Sequence, residues 1–182
     1  MQEQSYNFEE LYNSHVSLVY NLALNYLQNK EEAEEITQDV FMQVYQSISG
    51  FKQQSSLKTW IYRITLNKCH DHVKAKQTKK RRAFISSLFH EDGGIKHDPG
   101  HFDHPGVLLE NKERSELLFS AINKLPENQK TVFILSQIEQ LSQKEMADSM
   151  EMSQKAIESL LQRAKGNLRN QLGQLYKNEG FK

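Results

Sequence analysis

The stretch Leu141–Leu172, LSQKEMADSMEMSQKAIESLLQRAKGNLRNQL, reads as two helices separated by one tight turn. Ser142 with Glu145 three residues later has the pattern of a capping box, in which serine serves a free backbone N–H and glutamate reaches back, so a short helix starts there. Met150, Glu151 and Met152 supply the turn. Ser153 caps a second, longer helix, whose Ile157, Leu160, Leu161, Ala164, Leu168 and Leu172 recur at helical spacing and face a core. The opposite face carries Gln154, Lys155, Ser159, Gln162, Arg163 and Arg169, which can reach base edges and phosphates from a major groove. This is the pattern of a helix-turn-helix, and also of two helices in an ordinary bundle. Glu151 stands where such turns often use glycine, and Glu158 sets a negative charge on the polar face.

Outward from that stretch, three prolines, eight glycines and few alternating apolar runs in 182 residues point to an all-α chain. At 37% hydrophobic residues it can build one modest core or two small ones. A single cysteine, Cys69, excludes an internal disulfide and a cysteine-based zinc site, which fits a cytoplasmic setting. Residues 1–30 lack the basic start and apolar run of a secretory segment, and no stretch approaches a membrane span, so no membrane insertion is expected.

The formal net charge of zero hides strong segregation. Residues 1–40 hold one basic and eight acidic side chains, whereas residues 41–90 hold ten basic and one acidic. Such polarity predicts an acidic surface for one partner and a basic surface for another.

A first helix is expected from Phe8 to Leu27, with His15 on its apolar stripe as a packed histidine. Asn29 with Glu32 caps a second, in which Ala33, Ile36, Val40, Phe41, Val44 and Ile48 form the buried face and Gly50 ends the run. Glu31, Glu32, Glu34, Glu35 and Asp39 crowd its first turns, where they oppose the helix dipole whether or not they also meet a partner. After the loop Phe51–Ser56 a third helix begins near Leu57. Along it Trp60, Arg63, Asn67 and Lys74 step down one side into the basic run Lys76, Lys79, Lys80, Arg81 and Arg82. An aromatic surface beside cations suits single-stranded DNA, and a core tryptophan with a solvated basic tail is the plainer alternative.

These segments together resemble the sigma-70 family, extracytoplasmic-function type. Leu57-Lys58-Thr59-Trp60-Ile61-Tyr62-Arg63-Ile64 with Asn67 and Asp71 is similar to the family's second conserved domain. Glu34-Glu35-Ile36-Thr37-Gln38-Asp39-Val40-Phe41 resembles its polymerase-docking segment, and Leu125-Pro126 followed by the helix-turn-helix resembles its fourth domain. The resemblance implies a sigma factor without catalytic residues or cofactor. Its partners would be core RNA polymerase, promoter DNA as duplex and melted strand, and an anti-sigma factor. It implies polymerase contacts at Glu34, Glu35, Gln38, Asp39 and Phe41, and minus-ten contacts at Phe51, Trp60, Arg63, Asn67, Lys68 and Lys74. Minus-thirty-five contacts would fall to Ser153, Gln154, Lys155, Ser159, Gln162 and Arg163. In many relatives the positions of Glu158 and Leu160 are basic.

The expected architecture is two small helical domains, 1–82 and 107–182, joined by a flexible linker over 83–106, where Gly93, Gly94, Pro99, Gly100, Pro105 and Gly106 break any long helix. His90, His97, His101 and His104 among the linker's carboxylates have metal-ligand chemistry but little apolar material for a rigid site, so no metal is assigned. The sequence leaves two rivals: a dimeric repressor or activator, and a metal enzyme for which no nucleophile setting or phosphate loop is found.

Overall fold

The computed structural model describes residues 7–89 and 112–178, in which seven α-helices and one 3-10 turn are found and no strand. The helices are α1 Phe8–Leu27, α2 Lys30–Ser47, α3 Leu57–Phe89, α4 Lys112–Asn123, α5 Glu127–Gln137, α6 Gln143–Met150 and α7 Gln154–Asn178, with the 3-10 turn at Ile48–Gly50. Each N-cap that the sequence names is formed, whereas α2 ends at Ser47 with Ile48 as its C-cap, and Gly50, expected to end it, closes the 3-10 turn. Asn29 Oδ1 accepts from Glu32 N at 2.8 Å, Ser153 Oγ from Ala156 N at 3.2 Å, and the Ser142–Glu145 box is closed in both directions. Satisfying these free N–H groups fixes where each helix begins, each cap contributing about 1 kcal/mol.

Helices α1, α2 and α3 pack together as one unit, and α4, α5 and α6 pack on α7 as a second. Val19, Leu22 and Tyr26 of α1, Ile36, Val40 and Val44 of α2, and Ile61 and Cys69 of α3 are buried in the first. Ala121, Ile122, Val132, Leu135, Met146, Ile157, Ala164 and Leu168 are buried in the second. His15 is half-buried, with Nδ1 2.9 Å from the Leu11 carbonyl, as a histidine on an apolar stripe should be.

Two features differ from the expected layout. Helix α3 continues to Phe89, seven residues past the point where the linker was to begin. Between Leu57 and Phe89 there is no glycine or proline, so nothing local stops the helix once the basic run has been crossed. The glycines, prolines and histidines of the expected linker from His90 to Gly106 lie outside the described residues, as do the first five positions of the helix expected from Val107. Second, the two units touch: α3 packs on α6, and α1 meets α5.

Candidate nucleic-acid and polymerase interface

On α2 the side chains divide by helical angle. Ala33, Ile36, Thr37, Val40, Phe41 and Val44 are buried, while Glu34, Glu35 and Gln38 are exposed and Asp39 is half-exposed. Phe41 does not share that exposed face: at 4% exposure it lies in the core, with its ring 4.6 Å from that of Tyr12 and 6.5 Å from that of Phe8. Here the apolar period, which places Phe41 inside, outweighs its position in the docking motif. The residues that share the exposed acidic face are instead Met42 and Tyr45, 62% and 67% exposed, which follow Gln38 at helical steps of four and three. The signal was present in the sequence, since neither falls on the buried stripe. Large apolar groups on the same helix face as Glu35 and Gln38 have the composition of a protein contact.

Between α2 and the start of α3 lies an open cleft of about 530 Å³, lined by Gln43, Gln46, Phe51, Lys52, Trp60 and Arg63 among others. Ser56 caps α3, accepting from Thr59 N at 3.0 Å, which fixes the angle at which Trp60 enters the cleft. The Phe51 and Trp60 rings sit 5.1 Å apart at 39°, and Trp60 is half-buried, one part against the core and one part bare. Trp60 is thus in part a core residue and in part a wall of the cleft. The wall is aromatic and the rim is rich in amides, hydroxyls and cations, a surface that can stack a base and donate to its edge.

The remaining residues assigned to this face are held in different ways. Asn67 is exposed. Lys68 Nζ stands 3.7 Å from Asp39, tying α3 to α2, and Lys74 Nζ stands 3.6 Å from Glu127 of α5. Arg63 donates from Nη2 to the Asp148 carbonyl at 2.6 Å and pairs through Nη1 with Glu151 at 2.9 Å. Further along α3, His70 lies 3.2 Å from Glu127 and 3.1 Å from Thr131. Burial pulls its pKa below the usual histidine value, against the opposing pull of Glu127.

In the helix-turn-helix, Ser153, Gln154, Lys155, Gln162 and Arg163 are exposed and Ser159 is partly so, while Ile157, Ala164 and Leu168 are buried behind them. A row of polar side chains on a rigid helix is thereby presented in one direction, as groove reading requires. The turn holds Glu151 at φ 54° and ψ 43°, the left-handed conformation that glycine adopts more readily. Glu158 is exposed on the same helix.

Comparison with known proteins agrees with this division. Residues 11–79 match the family model of sigma-70 region 2, and residues 115–168 that of sigma-70 region 4. The chain is 28% identical to the ECF RNA polymerase sigma factor SigW of Bacillus subtilis, over 92% of this chain and 90% of that one. It is 25% identical to the ECF RNA polymerase sigma-E factor of Haemophilus influenzae, over 91% and 87%. Among solved structures it resembles the sigma factor RpoE in complex with the anti-sigma factor NepR from Bartonella quintana, with a TM-score of 0.62, 18% identity and coverage of 92% and 97%. It also resembles CnrH in complex with the cytosolic domain of CnrY, with a TM-score of 0.61, 20% identity and coverage of 91% and 87%. At those identities the structural likeness is one of fold.

Proposed function

We infer the function from membership: the chain belongs to the sigma-70 family of RNA polymerase sigma factors, extracytoplasmic-function type. It binds core RNA polymerase, directs it to promoters by recognising minus-thirty-five and minus-ten elements, and so promotes the initiation of DNA-templated transcription. The observation that carries this reading is the presence, in family order on one chain, of a cleft-bearing region-2 unit and a region-4 unit with an outward polar helix.

The residues are assigned as follows. Glu34, Glu35, Gln38 and Asp39, joined by Met42 and Tyr45, form the polymerase-docking face of α2. Phe51 and Trp60 stack bases of the melted minus-ten strand in the cleft, while Arg63, Asn67, Lys68 and Lys74 meet its phosphates and edges. Ser153, Gln154, Lys155, Ser159, Gln162 and Arg163 read the minus-thirty-five duplex. The chain acts by binding and has no reaction of its own: strand opening draws on stacking and phosphate contacts that a melted strand offers and a duplex does not. The anti-sigma complexes of its two structural relatives support an anti-sigma factor as a further partner of this chain. No helix among the described residues is long and apolar enough to cross a membrane, and a partner of RNA polymerase works in the cytoplasm.

The test is a titration of the labelled chain with core RNA polymerase, repeated with Glu35→Lys and with a housekeeping sigma factor as competitor. Tight binding that the competitor displaces and Glu35→Lys weakens is expected, since the substitution reverses charge in the middle of the docking face. No binding to polymerase, together with specific duplex binding by the chain alone, would instead favour a conventional repressor.

A further inference from the structure

We propose that Met42 is a reversible oxidation site, at which a peroxide-class oxidant converts an apolar anchor of the polymerase-docking face of α2 into a polar sulfoxide and so weakens docking. The proposal rests on the assignment of that face to polymerase.

The direction of the side chain follows from the helix. Val40 and Val44, both fully buried, fix the inward side of α2, and Met42 stands two residues from each, about 200° around the helix. It therefore points straight out, 62% exposed, and the core of this chain gives it nothing to pack against. Nor does it stand alone. Tyr45, 67% exposed, follows at three-residue helical spacing, with its ring edge-on to that of Phe8 at 5.1 Å. The bare thioether thus borders an aromatic group that α1 holds in place, and Gln38 precedes it by one turn on the same outward face. An exposed apolar group in such company is one that a partner covers.

Mild two-electron oxidants attack sulfur first, and the fold decides which sulfur they meet. Cys69 is fully buried and its thiol is pushed up to about 12 by that burial, so it offers no thiolate. Met146 is buried, and Met150 and Met152 are half-buried against the C-terminal core. Among the described residues Met42 is thus the sulfur most open to water. In the reaction with hydrogen peroxide the thioether lone pair attacks one oxygen, an S–O bond forms as the O–O bond breaks, the sulfur gives up two electrons and the second oxygen leaves as water. The sulfoxide keeps the reach of the side chain but carries a polar oxygen that must be desolvated when the face closes on a partner. A dithiol-dependent sulfoxide reductase removes that oxygen as water and restores the thioether, which makes the change a switch.

The test treats the full chain with hydrogen peroxide over a time course, removes the peroxide with catalase, and measures affinity for core RNA polymerase before and after. Peptide mapping should find the added oxygen on Met42 ahead of Met146, Met150 and Met152. Affinity should fall about tenfold, the scale set by desolvating one polar group in place of an apolar one, and should return after treatment with methionine sulfoxide reductases of both epimer specificities. Met42→Leu removes the sulfur: whatever its own affinity, that chain should bind polymerase equally well before and after peroxide. Met150→Leu with Met152→Leu should leave the peroxide effect in place. The unfolding midpoint of the wild-type chain should not move on oxidation, since Met42 points away from the core. Oxidation of Met146, Met150 or Met152 ahead of Met42, oxidation of Met42 without loss of affinity, a lowered unfolding midpoint, or an equal loss of affinity in Met42→Leu overturns the proposal. A reduced chain that does not bind polymerase fails the docking reading itself and takes the proposal with it, whereas binding that peroxide leaves untouched fails the proposal alone.

Discussion

Trp60 shows how one side chain can belong to both core and site. It packs partly against the buried cluster of the N-terminal unit and partly beside Phe51 on the wall of the cleft. Truncation to alanine removes both, so its stability cost must be separated from its functional one. Trp60→Ala is expected to destabilise the chain by about 2 kcal/mol, less than for a fully buried ring, as denaturant unfolding would measure. Beyond that, open-complex formation on a promoter should fall by more than polymerase affinity does, because the face of α2 proposed to dock on polymerase lies elsewhere. Equal losses in the two assays would leave Trp60 a packing residue only. At the same scale Phe41 is instructive. It lies two residues after Asp39 in a segment resembling the docking motif, and two residues are about 200° around a helix, which turns the ring away from Asp39's face and into the core.

The elements were legible where local chemistry decides. Asn29, Ser142 and Ser153, named as caps from the sequence, each accept from a backbone N–H at the start of a helix, as do Asn7 and Ser56, which the sequence reading did not name, and the bounds of α1 follow from its apolar steps. The far end of α3 was not, because a polar, basic helix carries no periodicity from which its length can be read. Gly166 stands inside α7, where glycine is ordinarily unfavourable, and nothing in the structure calls for it. A Cβ built there meets nothing within 4 Å, and the residue is exposed inside the long helix α7. No close approach or unusual backbone requires glycine, so its effect reduces to the greater freedom of the unfolded chain. Gly166→Ala should therefore stabilise the C-terminal unit by about 1 kcal/mol, read as a higher denaturant midpoint at unchanged slope. A neutral or destabilising outcome would mean that α7 has a contact at this position in the working protein, and binding to minus-thirty-five DNA would be the place to look for it.

For the whole molecule, the contact between units had no sequence signal, since it joins Arg63, His70 and Lys74 to Asp148, Glu151, Glu127 and Thr131 across more than fifty residues without an apolar pattern. Its chemistry nevertheless predicts how it should respond to pH. His70 is enclosed by the Tyr26 ring, Thr131 and Glu127, with Lys74, Lys130 and Asp71 near enough to act on it. Burial is the largest influence and lowers its pKa below 6.5, with Lys74 and Lys130 acting in the same direction and Glu127 and Asp71 against. A histidine freed by opening returns toward its ordinary value. As pH falls through 6.5 the open form thus takes up a proton that the closed form resists, and the closed state loses stability in that window. Glu139 has the opposite leaning: burial raises its carboxyl above 4.5, so closure favours the protonated acid and is strengthened at the lowest pH. Lys130 responds in the alkaline range. Burial lowers it to about 8 from 10.5, and between those values the closed form has shed a proton that the open form keeps, so closure gains stability as pH rises. The distance between the units, measured by dye transfer between labels on α1 and α7, should accordingly shorten on average from pH 8 to pH 10, above which the buried Tyr26 and Tyr62 act against closure, and lengthen on acidification just below pH 6.5. His70→Gln should remove the acid response alone, since an uncharged side chain of similar reach can still bond to Thr131. If the acid response survives that substitution, the titrating group is not His70, and Glu127 with its neighbour Lys74 becomes the pair to vary.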